Sequence, residues 1–129
     1  MGRGLAASDY VAVARQWAAL RRRVVRTLSD VDALLVPTTM IPPRPLSVID
    51  ASPETYTEHN QKYLRNTSLG NVLNLCSVSL PCGFTDDGLP IGLMIYAKPF
   101  DEATALRVAW AYEQATDWHD RRPDLAWAM

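Results

Sequence analysis

The chain has 129 residues, 48% hydrophobic and 21% charged, which suits one folded unit and excludes a disordered or low-complexity segment. Its 13 basic and 14 acidic residues leave a net charge of −1, so the chain as a whole gives nucleic acid or an anionic membrane no electrostatic reason to bind. No run approaches the ~20 apolar residues of a membrane span, and Met1 to Ser8 holds no apolar core of a secretory signal, so a cytoplasmic home is expected.

The first predicted element is a helix with Ser8 as N-cap and Asp9 in its first turn, where negative charge suits the helix dipole. Ala14, Trp17, Val24, Val25 and Leu28 mark its apolar face. Arg15, Arg21, Arg22, Arg23 and Arg26 fall mainly between them and read as a solvated face. The run Ala33-Leu34-Leu35-Val36, closed by Pro37, predicts a short strand buried on both faces. From Pro37 to Pro53 five prolines (Pro37, Pro42, Pro43, Pro45 and Pro53) exclude regular helix or central strand. A long loop is expected there, and long ordered loops often carry function.

A second helical region spans about Glu54 to Leu75, with a break expected near Gly70. Its asparagines, Asn60, Asn66, Asn71 and Asn74, are poor helix-interior residues and suggest polar anchoring, caps or that break. Val78 to Pro81 and Ile91 to Tyr96 predict an antiparallel pair of strands joined through the Asp86-Asp87-Gly88 turn. A last helix follows Pro99-Phe100, with Asp101 as N-cap, and runs to about Thr116. Its apolar residues cover most of its circumference, so packing on more than one side is expected. A polar tail with Trp118, His119, Arg121, Arg122 and Pro123 closes the chain.

Chemistry-bearing patterns are few. His59 and His119 have no second histidine or cysteine at ligand spacing, so no metal site is expected. The six glycines form no phosphate-cradling loop, and no cofactor is implied. Asp86-Asp87 and Asp101-Glu102 have sufficient roles in a turn and a helix start. Nucleophilic catalysis needs a hydroxyl or thiol beside a base, and no G-x-S-x-G or S-x-x-K motif occurs. Cys82, in the Pro81-Cys82-Gly83 bend, and Ser79 are the speculative nucleophiles of an independent small enzyme, with no convergent base in the sequence; otherwise Cys76 and Cys82 read as buried free thiols.

The ordered pattern of Asp32 to Thr39, Arg65-Asn66-Thr67, Asn71 to Asn74, Val78 to Gly83 and Gly88 to Met94, followed by a helix, resembles the carboxy-terminal third of the amidase-signature family. That family includes bacterial amidases and the A subunits of tRNA-dependent amidotransferases, and the likeness runs from about Ser8 to Pro123. It implies an α/β fold. Residues 1–129 would form a single compact unit, incomplete relative to the family, with few strands of a mixed sheet, including an antiparallel pair, flanked by three or more helices. It also implies amide hydrolysis through a serine, a second serine in a cis peptide and a lysine base. No Gly-Gly-Ser-Ser run is present and neither Lys62 nor Lys98 stands in the matching context, so no catalytic residue is carried over.

What the resemblance implies for this chain is scaffold and pocket wall, without activity of its own. Pro37, Thr38 and Thr39 are the expected wall, and Arg65 a candidate to orient a polar substrate group; read without the resemblance, they are a proline-stiffened loop and a helix-surface arginine. The expected partners are the amino-terminal portion of an amidase or a second copy of the chain in a homo-oligomer, with a small-molecule amide as the complete enzyme's substrate. The competing reading is a non-catalytic binding or interaction module derived from an amidase scaffold.

Overall fold

A computed structural model describes residues 4–122; Met1, Gly2, Arg3 and Pro123, where the family resemblance ends, lie outside the described residues. The elements in chain order are α1 (Ala7–Thr27), β1 (Leu34–Pro37), the single turn α2 (Leu46–Ile49), α3 (Pro53–Leu73), β2 (Cys76–Phe84), β3 (Pro90–Ala97) and α4 (Glu102–Ala115), followed by a 3-10 turn at Trp118–Asp120. The architecture is α/β: helices on a three-stranded sheet of order β1-β3-β2.

β3 is apolar at every position but Gly92, and it takes the place such a strand requires, in the centre with antiparallel partners on both sides. Pairing Leu34 and Ser77 with Tyr96, and Leu35 and Val78 with Ile95, fixes the two faces. Tyr96 points to α3 and is only 1% exposed. Ile95, 0% exposed, points the other way. α4 packs on β2 and β3 and covers that second face through Ala105 and Ala109. β1 carries the same apolar signature as β3 but is an edge strand, with Leu35 49% exposed. Expected burial on both faces fails there because α4, which covers the Ile95 face, packs on β2 and β3, away from the β1 edge.

α3 is continuous through Gly70. Ser52 caps its start, its hydroxyl accepting from the Thr55 N–H at 3.1 Å, and Pro53 opens the first turn. Asn74 ends it in the left-handed region at φ 61°, which asparagine tolerates better than most residues. The expected break at Gly70 is instead a close approach: a Cβ there would lie 2.7 Å from Tyr96 Cε1. The Tyr96 hydroxyl donates to the Asn66 carbonyl one turn away, so the ring is held at its far end as well.

α1 contains no buried residue. Ala6, not Ser8, stands at its N-cap and makes no side-chain cap. The helix is tied to the C-terminal end of α3, where carbonyls lack intrahelical donors. The Trp17 indole N–H donates to the Val72 carbonyl, and Arg21 donates to Val72 at 3.0 Å and Asn71 at 3.2 Å. The Arg21 guanidinium also lies 4.9 Å from the Trp17 ring centre. Arg21 therefore leaves the solvated face to serve as a cationic cap on another helix. The expected two-sided packing of α4 is not seen among the described residues: Thr104, Ala105 and Ala109 are buried, while Trp110 is 63% exposed. Asp101 stands at its N-cap without a side-chain bond.

Replacing Gly70 by alanine tests the α3–Tyr96 contact. The change gains about 1 kcal/mol of helix propensity but overpacks a tethered ring, which costs about 1–3 kcal/mol. The steric cost wins because the ring is fixed at both ends. Gly70→Ala is expected to lower the urea unfolding midpoint, and in a Tyr96→Leu background the same change becomes neutral or stabilising. An unchanged midpoint for the single variant would show that the ring simply moves aside.

Candidate functional site

The loop after β1 cannot hold itself by a backbone ladder, because Pro37, Pro42, Pro43 and Pro45 donate no hydrogen bond. Side chains from α3 do so instead. Asn66 Nδ2 donates to the Pro37 carbonyl at 2.7 Å. The Tyr63 hydroxyl donates to the Pro42 carbonyl at 3.3 Å and accepts from the Arg44 N–H at 3.0 Å. Tyr63, Asn66 and Gly70 lie three and four residues apart, one stripe of a helix. The stripe that packs on Tyr96 therefore also fastens both ends of the Pro37–Arg44 segment.

Thr38 continues the β1 ladder, its N–H donating to the Gly92 carbonyl at 2.7 Å. Its Oγ1 lies 2.6 Å from Ser79 Oγ, a hydroxyl pair that bridges the two edge strands across β3. The bridge exists because the central residue is glycine: a Cβ at Gly92 would sit 2.6 Å from Thr38 Oγ1 and 3.1 Å from Ser79 Oγ. Both hydroxyls are thus engaged with each other.

Beside this bridge is a cleft of about 210 Å³. One wall is Pro37, Thr39, Met40, Ile41 and the Pro42-Pro43 pair; the other is Thr85, Pro90 and Ile91 at the end of the β2–β3 hairpin. The hairpin end is rigid, with Thr85 N–H donating to the Leu89 carbonyl at 2.8 Å and Leu89 N–H to Thr85 Oγ1 at 3.0 Å. Thr39 Oγ1 donates to the Ile41 carbonyl at 3.1 Å. A larger concavity of about 400 Å³ is lined by Pro53, Glu54, Thr57, Glu58 and Gln61, all on one open face of α3. The smaller cleft is the better candidate because two separate elements converge on it.

Of the residues singled out from sequence, Pro37 and Thr39 line the cleft, and Thr38 turns to Ser79 behind its wall. Arg65 is exposed on α3, next to the Asn66 anchor and outside the lining. The polar anchoring expected of the α3 asparagines is found at Asn66. Sequence reading missed Tyr63 as an anchor and Thr85, Pro90 and Ile91 as the second wall. The second wall had no signal, since hairpin and loop meet only in the fold. Cys82 sits in a β-bulge after Pro81, half-buried, and burial pushes its thiol above the usual range. A thiol kept protonated at neutral pH is a poor nucleophile, which removes the support for that role. Cys76 is likewise free, donating to the Lys98 carbonyl at 3.1 Å.

The amidase family model matches residues 4–106. An amidase of Pseudomonas putida is 38% identical over 127 residues, covering 97% of this chain and 27% of its own length. The A subunit of the glutamyl-tRNA(Gln) amidotransferase from Methanosarcina mazei is 46% identical over 100 residues, 76% of this chain and 20% of its own length. Among solved structures, an allophanate hydrolase of Kluyveromyces lactis superposes with a TM-score of 0.63 at 26% identity, over 79% of this chain and 16% of that one. The chain spans about a fifth to a quarter of the length of the curated relatives it matches.

The anchoring of the cleft wall has a direct test. Asn66→Ala removes one hydrogen bond, worth about 1 kcal/mol. It is expected to raise hydrogen exchange at the Thr38 amide about fivefold, the local-opening equivalent of that loss. Gln61→Ala, on the same helix, is expected to leave the Thr38 amide unchanged. Equal rates in the Asn66 variant and the parent would show that the loop is held by other means.

Proposed function

This chain belongs to the amidase family, and on that premise we propose that it supplies scaffold and one side of the substrate pocket to an amide C–N hydrolase. The cleft between the Pro37–Pro43 segment and the hairpin end carries this reading, because the whole of it lies within the matched residues. A wall fixed at Pro37 and Pro42 by α3 holds its shape before substrate arrives, which is how a positioning surface lowers a barrier. The acid–base and nucleophilic groups come, in this reading, from amidase polypeptide beyond this chain. Lys62 is half-exposed and paired with Glu58 at 2.6 Å, a helix-surface ion pair, and Thr38 and Ser79 are hydrogen-bonded to each other.

The surfaces of the chain support docking to such polypeptide. α1 buries none of its residues, and α4 presents Leu106 and Trp110 outward. Before α4, Phe100 is 88% exposed and held at φ 63°, an unfavourable backbone for an aromatic residue. Apolar surface of this kind marks an interaction site. In isolation, the chain covers it with a second copy.

Two measurements test this reading. Joined to the remaining portion of the Pseudomonas putida amidase in place of the matching segment, this chain is expected to restore amide hydrolysis, while the chain alone hydrolyses none. Turnover by the isolated chain, or an inactive but folded chimera, would overturn the assignment and favour a non-catalytic binding module. The isolated chain is expected to sediment as a dimer or larger at micromolar concentration, with Leu106→Glu/Trp110→Glu shifting it to monomer. A parent chain that is already monomeric would remove the docking argument.

A further inference from the structure

We infer that the cleft takes the uncharged, apolar substituent of a small amide, a single ring or a short branched chain, and rejects amides bearing a carboxylate. The inference rests on the pocket-wall reading and names the substrate class that wall selects. None of the lining residues carries a charge: the loop side offers prolines, Met40 and Ile41, and the hairpin side Pro90 and Ile91. The only side-chain polar groups are two threonine hydroxyls, and both are already engaged. Thr39 commits its proton to the Ile41 carbonyl, and Thr85 Oγ1 receives the Leu89 N–H. A carboxylate entering here would lose water and find no cation and almost no donor in return, a large uncompensated cost. An apolar group loses nothing of the kind and gains from leaving water.

The volume narrows the class further. Drug-sized ligands occupy pockets of roughly 300–1,000 Å³, while a dry apolar cavity of roughly 150 Å³ takes up benzene. At about 210 Å³ the cleft lies between, room for one ring with a short extension. Its walls resist widening, because the loop is pinned at Pro37 and Pro42 and the hairpin end is closed by its own hydrogen bonds. Selection by size accompanies selection by charge.

The test uses benzamide and succinamate, an uncharged and an anionic amide of small size. In titrations of the full chain followed by methyl NMR, benzamide is expected to give saturable shifts at Met40, Ile41 and Ile91, and succinamate to bind at least tenfold more weakly. Met40→Lys, on the loop and outside the sheet, is expected to weaken benzamide and strengthen succinamate, each at least severalfold; Ile91→Lys repeats the test from the opposite wall. In the amidase chimera, Met40→Lys is expected to lower the ratio of kcat/KM for benzamide over succinamate at least tenfold. A chimera that hydrolyses no amide while the cleft still takes up benzamide overturns the functional reading and leaves the ligand class standing. An active chimera that accepts succinamate as well as benzamide, or benzamide shifts confined to other residues, overturns the inference itself.

Discussion

The Tyr96 ring lies on Gly70, and its hydroxyl reaches the carbonyl of Asn66 one turn earlier in the same helix. These two contacts set both the distance and the rotation of α3 relative to the central strand. Everything on the candidate site follows from that placement. Once Gly70 faces the sheet, helical geometry carries the side chains of Asn66 and Tyr63 to the side where the chain leaves β1. They meet a segment whose prolines leave carbonyls without neighbouring donors, and they satisfy two of those carbonyls. Burial of the tyrosine, which also pushes its hydroxyl's pKa upward, keeps the group a neutral donor over the ordinary pH range.

A second close approach lies four residues away along β3. Gly92 lets Thr38 and Ser79 meet over β3, so the start of the loop wall is tied to β2 as well as to α3. Thr38 thereby stabilises the wall from behind, while its neighbours Pro37 and Thr39 present their surfaces to the cleft. The two glycines work alike: each removes a methyl group at a point where two elements must come closer than alanine allows. Prolines add rigidity from the other direction by restricting the loop before it folds.

The family and the fold class were legible from sequence because they rest on local signals. Pro81-Cys82-Gly83 and the Asp86-Asp87-Gly88 turn announce a hairpin, and the hairpin forms from Cys76 to Ala97. Signals that depend on a neighbour were not legible. Leu34-Leu35-Val36 and Leu93 to Tyr96 have the same apolar texture, yet one is an edge and the other the centre, since pairing order is not written in hydropathy. Gly70 reads as a helix break locally, and only Tyr96, 26 positions later, makes it a contact point. Arg21 reads as solvated in its own helix; the free carbonyls that claim it belong to α3. The candidate site divides the same way. The proline loop and the anchoring role of the α3 asparagines stood out in one dimension, while the hairpin wall and the Tyr63 anchor appear only when the elements are brought together.

That division is consistent with the proposed reading, in which the chain contributes selectivity and the chemistry comes from elsewhere. Of the two nucleophile candidates, Cys82 is shifted in the unhelpful direction by its burial, and Ser79 is hydrogen-bonded to Thr38. Selectivity needs only a fixed shape and a largely apolar lining without charge, and the loop, α3 and the hairpin provide both within residues 37–96. These contacts are made inside the chain and do not depend on the exposed faces of α1 and α4. On the proposed reading, polypeptide covering Leu106 and Trp110 would bring the reacting groups to a cleft that is already shaped.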